Sequence, residues 1–172
     1  MAIIEEFNGT PAAYAEVRGS ERYPEIYGMV YFFDEGRGTV VLAEIYNLPD
    51  EEAGNVGKFF GFHIHEGSTC TGPSNDPFAD TLIHYSPEYA EHPQHVGDLP
   101  VILSSNGMSW IAVYTGRFIP EQVIGRTIVV HDHPDDFRSQ PFGHAGEKIA
   151  CGEIKRWGTQ FTANILGEPI IP

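Results

Sequence analysis

Short runs rich in β-branched and aromatic residues, some of them alternating with polar ones, recur along most of the chain between glycine, proline and acidic turns. Neighbouring side chains of an extended strand point to opposite faces, so a period of two marks half-buried β-strands. Eight such runs are predicted, over residues 12–18, 26–33, 39–48, 58–65, 98–104, 109–115, 127–131 and 149–154. Gly19-Ser20 stops the first, and Asp34-Glu35-Gly36-Arg37-Gly38 joins the second to the third as a hairpin. Asn106-Gly107 supplies the residues that a tight two-residue hairpin turn demands. Residues 66–97 and 132–148 have no sustained period and are loop-like. A stretch as long as the first belongs in a compact domain only if it is functional and tied down. The pattern predicts an all-β fold, an eight-stranded Greek-key β-barrel or sandwich with two long functional loops. A single domain is expected over residues 1–172, with its core in 12–154 and a C-terminal extension in 155–172. Trp157, Phe161, Ile165, Leu166, Ile170 and Ile171 give that extension an apolar character suited to packing on the barrel or on a second subunit.

Composition narrows the partners. The 172 residues are 41% hydrophobic and 20% charged, with a formal charge of −14. That field repels nucleic acid and anionic membrane surfaces, so neither is expected as a partner. No stretch approaches the roughly 18 to 20 apolar residues that span a bilayer. Met1-Ala2-Ile3-Ile4-Glu5-Glu6-Phe7 has neither the basic nor the apolar region of a secretory leader, which points to the cytoplasm. A chain trimmed of its leader would belong instead to the periplasm or the exterior. Cys70 and Cys151 are the only cysteines, and in a reducing compartment their default state is a pair of buried thiols.

The candidate chemistry centres on Gly61-Phe62-His63-Ile64-His65-Glu66. On a strand His63 and His65 share a face about 7 Å apart and can grip one metal ion between them. Alone, such a pair also suits two half-exposed polar positions. Downstream lie His84, His92, His95, Asp98 and His131, so six of the eight histidines join a carboxylate in a set that copper and zinc prefer.

Four motifs then coincide in order: Gly61-Phe62-His63-Ile64-His65, His95-Val96-Gly97-Asp98-Leu99, residues 124–131 ending in Val130-His131, and residues 143–152 containing Ala150-Cys151-Gly152. With these the chain resembles the copper-zinc superoxide dismutase family, and the resemblance runs from about residue 12 to residue 154. It implies an enzyme that disproportionates superoxide to oxygen and hydrogen peroxide. By resemblance His63, His65, His84 and His131 would bind copper. His84 would bridge to zinc and act as proton carrier, with His92, His95 and Asp98 completing the zinc site. Asp135 would link a copper histidine to a zinc histidine, with Asp136 as the fallback and a solvated acidic turn as the bland alternative. Cys70 and Cys151 would form a disulfide, and the short step from His65 to Cys70 resembles bacterial members.

The sequence also departs from the family. Lys148 stands where the family places an arginine that docks superoxide, keeping the charge without the planar pair of donors. Only Pro93-Gln94 separate His92 from His95, a shortened gap. The second loop carries Asp132, Asp135, Asp136 and Glu147 against Arg138 and Lys148, which predicts weakened electrostatic guidance of the anion. The alternative is therefore a non-catalytic or weakly active copper- or zinc-binding protein of the same fold. A homodimer is a further expectation. His133 and His144 carry no role from the resemblance, and each reads as a solvated or hydrogen-bonded loop histidine.

Overall fold

The second and third strands read as nearly continuous apolar runs because both of their faces are covered. Val30 and Phe32 on one side, with Val41, Ala43 and Ile45, enter the main core. Tyr31, Phe33 and Leu42 point the other way and form a second layer with Tyr14, against which Met29, Val40 and Trp157 pack. The Trp157 ring meets Tyr14 edge-on at 5.7 Å.

The computed structural model describes residues 9–49 and 58–158. Its strands are β1 (Ala13–Gly19), β2 (Tyr27–Asp34), β3 (Thr39–Tyr46), β4 (Lys58–Phe60), β5 (Phe62–His65), β6 (Ile102–Ser104), β7 (Ser109–Thr115), β8 (Thr127–His131) and β9 (Lys148–Arg156). Among the described residues the helices are two three-residue 3-10 turns, Ala79–Thr81 and Pro120–Gln122. None is long and apolar enough to cross a membrane. Of the predicted C-terminal extension, residues 159–172 lie outside the described residues, as do residues 1–8 at the N-terminus.

Seven strands form one antiparallel sheet in the order β5-β8-β9-β1-β2-β3-β7, and β4 pairs with β6 in a second. β5 and β7 are the edges of the large sheet. β4 runs into β5 through Gly61, and β6 is joined to β7 by the Ser105–Met108 turn. The small ribbon thus connects both edges, and the large sheet curls around a core that includes Phe32, Phe60, Phe62, Ile64, Ile102 and Ile128. The fold is all-β, as the short β-branched and aromatic runs between turns predict.

Two boundaries differ from the sequence expectation. The single strand predicted over residues 58–65 is divided at Gly61 between the two sheets. Gly61 N donates to His133 O at 2.7 Å, Gly61 O accepts from His131 N at 2.9 Å, and a Cβ here would stand 2.9 Å from that of Ala145. The second loop therefore presses on the chain where it changes sheets, and only glycine leaves it room. The strand predicted over residues 98–104 begins only at Ile102, because Asp98 and Leu99 are engaged in the preceding loop and Pro100 has no N–H to donate.

Candidate metal centre

Phe62 and Ile64 face the core, so the pleat turns His63 and His65 to the outer surface of the barrel. They are nevertheless buried, His63 at 0% exposure and His65 at 2%, because the two long loops fold over them. The first loop returns alongside β5. Tyr85 N donates to Ile64 O at 2.8 Å and Ile64 N to Gly97 O at 2.9 Å, which sets His84 opposite His65 and Asp98 opposite His63. His131 ends β8 at a register irregularity after Val130, a device that re-aims a side chain at a strand end.

Two buried groups result. The potential ligand atoms of His63, His65, His84 and His131 lie within 4.8 Å of one another, and so do those of His84, His92, His95 and Asp98. His84 belongs to both.

Hydrogen bonding at the outer ring nitrogens decides which atoms remain for a metal. His65 Nδ1 donates to Leu82 O at 3.1 Å and His131 Nδ1 to Gly146 O at 3.4 Å. That leaves the two Nε2 atoms, 3.2 Å apart, as lone-pair donors facing each other. His63 Nε2 donates to Asp135 Oδ2 at 2.8 Å and His92 Nε2 to Asp135 Oδ1 at 2.9 Å, so one carboxylate orients a ring from each group. His63 Nδ1, His84 Nε2 and His92 Nδ1 have no hydrogen-bond partner although buried. In the second group His84 Nδ1, His92 Nδ1 and His95 Nδ1 stand 2.8, 3.1 and 3.2 Å from the Asp98 carboxylate. Buried polar atoms without partners are costly unless something binds them. Imidazole lone pairs converging on one space are the donor set for a borderline metal ion, and the residues present fit copper and zinc.

The protonation states agree with this arrangement. Burial, reinforced by the neighbouring imidazoles, holds His65 and His131 well below the ordinary 6.5. Burial also lowers His84 to about 4, although the hydrogen bond with Asp98 works against it. For Asp98 burial acts upward and is outweighed by the His84 hydrogen bond and the surrounding imidazoles, which keep the carboxyl below its usual range. Neutral rings and an ionised carboxylate are the ligating forms.

A cavity of about 280 Å³ opens onto the first group, lined by His65, His84 and His131 together with Leu82, Ile83, Phe142 and Lys148. The half-buried Lys148 donates from Nζ to Phe78 O at 3.1 Å and Leu82 O at 3.4 Å, and burial lowers its pKa. Asp136 does not contact either group; it caps the turn at Ser139 and is exposed. His133 is paired with Asp132 at 2.6 Å, and the exposed His144 lines the cavity beside Lys148. Cys70 and Cys151 form a disulfide that fastens the first loop to β9.

Two supporting residues escaped the sequence reading. Gln140 forms a reciprocal pair with the His92 backbone, its Oε1 accepting from His92 N at 3.0 Å and its Nε2 donating to His92 O at 2.6 Å. The Phe142 ring lies 5.0 Å from that of His84. A glutamine and a phenylalanine in an aperiodic loop give no pattern that would have marked them.

Comparisons with known proteins agree with this geometry. Residues 26–154 match the sequence profile of the copper/zinc superoxide dismutase (SODC) family. The chain is 35% identical over 162 residues to the superoxide dismutase [Cu-Zn] of Candida albicans, a match covering 83% of this chain and 96% of the relative. It is 26% identical over 170 residues to superoxide dismutase [Cu-Zn] 2 of Aquifex aeolicus, covering 90% and 93%. The fold is similar to that of the Cu/Zn superoxide dismutase from Brucella abortus, with a TM-score of 0.69 at 22% identity, over 82% of this chain and 98% of that one. The motifs, the two ligand groups and these similarities converge: the chain belongs to the copper/zinc superoxide dismutase family.

Proposed function

We propose that the protein is a superoxide dismutase with copper held by His63, His65, His84 and His131 and zinc held by His84, His92, His95 and Asp98. The observation that carries this reading is the position of His84, whose Nδ1 faces Asp98 in one group while its unpartnered Nε2 faces the other. When bound, copper supplies the one-electron chemistry that cycles between two oxidation states.

The chain's own residues do the rest. Asp135 fixes the tautomers of His63 and His92 and couples the two groups mechanically. His84 Nε2 is the atom at which a proton is held between the two half-reactions. Lys148 offers the cationic side chain lining the cavity, and a superoxide anion docks against whatever donor capacity its two carbonyl bonds leave. The apolar Leu82, Ile83 and Phe142 limit the approach to a small substrate. With a formal charge of −14, long-range guidance of the anion is weak. The disulfide supports residence in an oxidising compartment, the periplasm or the exterior.

The same commitment of Lys148 to two carbonyls favours a second reading, a copper- and zinc-binding protein with little turnover. Protein reconstituted with one copper and one zinc per chain, with metals quantified on the assayed sample, separates the two. Copper-dependent dismutation is the expected result. Full metal occupancy without turnover would leave the second reading standing.

A further inference from the structure

Arg117 follows the end of β7 and approaches the second ligand group from behind. Its Nη1 lies 3.1 Å from Pro93 O, 2.9 Å from His95 O and 3.1 Å from Asp98 O. Two of these carbonyls belong to members of the group, and the third to the residue directly after His92. One guanidinium nitrogen is thus attached at or next to each ligand of that group other than His84. Three carbonyl dipoles aimed at one point repel one another unless a cation stands there, and a guanidinium is always charged.

The base of this clamp is rigid. Arg117 N donates to Thr115 Oγ1 at 3.2 Å. Phe118, the next residue, is buried in the core, and its carbonyl accepts from Thr39 Oγ1 on β3 at 2.9 Å. Residues 92–98 contain no strand of their own, so their spacing depends on such ties. With only Pro93 and Gln94 between His92 and His95, a shift of one ligand is carried to the other.

We infer that Arg117 is a positioning residue for the zinc group, setting the spacing of His92, His95 and Asp98 through their backbone without touching the metal. This rests on the zinc assignment proposed above. Groups that orient metal ligands from behind change metal affinity by about 10- to 100-fold when removed.

The test uses full-length protein carrying cobalt(II) in the zinc group and copper in the other, as wild type, Arg117→Met and Arg117→Lys. The visible cobalt spectrum reports the coordination geometry, release to a chelator reports retention, and thermal unfolding of the metal-free forms reports the fold. Arg117→Met should release cobalt about 10- to 100-fold faster with an altered spectrum. Arg117→Lys should fall between, since an ammonium also donates from one atom but on a shorter stem. If the variants lose stability while spectrum and release stay those of wild type, Arg117 is structural only and the inference is wrong. Should Arg117→Met fail to fold, Arg117→Lys decides on the same two readouts. Wild type that takes up no cobalt would overturn the zinc assignment and the inference together. Uptake by wild type with unchanged variants would overturn the role of Arg117 alone.

Discussion

Gly143 and Asp135 occupy adjoining space: Gly143 has a φ of +64°, and a Cβ on it would overlap Asp135 Oδ1 and stand 2.7 Å from His92 Nε2. The carboxylate that orients one histidine of each ligand group keeps its place only because residue 143 has no side chain. Gly143→Ala should therefore loosen both groups at once. The left-handed backbone adds about 1 kcal/mol or more of strain for alanine, and displacement of Asp135 should weaken metal retention about 10-fold or more. Chelator competition for copper and zinc on the same sample checks this. Loss of thermal stability with unchanged retention of both metals would show that Asp135 tolerates the intrusion.

The Cys70–Cys151 bridge closes a loop with a sequence separation of 81 that contains every member of the two groups except His63 and His65. Cross-linking so long a loop restricts the unfolded chain and is worth about 2–4 kcal/mol. A Cys70→Ser/Cys151→Ser variant should lower the unfolding free energy by about that amount in urea titration. Metal-free protein should show the difference most clearly, because bound metal stabilises the folded state independently.

Much of this architecture was legible in the residues. The pattern of β-branched and aromatic runs between turns located β1, β2, β3, β7 and β8 to within two residues at each end, and Asn106-Gly107 marked its hairpin with both residues at positive φ, 54° and 74°. The split at Gly61 was not legible, since Lys58 to His65 reads as one apolar run leading into His63 and His65, and the change of sheet is imposed by His131, His133 and Ala145, far away in sequence. At the centre, residue type singled out His63, His65, His84, His92, His95, Asp98 and His131, and the family resemblance added Asp135. The backbone-directed bonds of Gln140 and Arg117 were invisible because a carbonyl acceptor has no sequence identity.

Acid should unfold the metal-free protein in a defined window. His84 is lowered from 6.5 to about 4, burial being the largest cause, and His65 and His131 are likewise lowered. Folded rings with depressed pKa stay neutral while the unfolded chain takes up protons as pH falls through about 6.5. The unfolded state then binds more protons, so stability is fully present above pH 6.5 and falls between about 6.5 and 4. Thermal midpoints of metal-free protein measured across that interval should decline steadily. A flat profile would mean that these imidazoles protonate within the fold.

Lys148 provides the sharpest test of how the site meets its anion. Its ammonium has three hydrogens, and two are directed at Phe78 O and Leu82 O, leaving one for a ligand in the cavity. A guanidinium has five, so Lys148→Arg can satisfy both carbonyls and still present a planar pair of donors. One added charge-assisted hydrogen bond to superoxide, partly offset by its dehydration, corresponds to about a two- to tenfold rise in kcat/KM. The effect should persist with salt, because it is made at contact distance. The approach of the anion behaves differently: a formal charge of −14 repels it over a Debye length of about 30 Å at 0.01 M salt, but over only about 8 Å at 0.15 M. Wild-type dismutation should accordingly accelerate as ionic strength rises across that range, the opposite of an enzyme that attracts its substrate from a distance. Rates of wild type and Lys148→Arg taken at both salt concentrations separate the two contributions. A variant indistinguishable from wild type would remove Lys148 from docking, and a rate that falls with salt would show that the local field of the cavity outweighs the net charge.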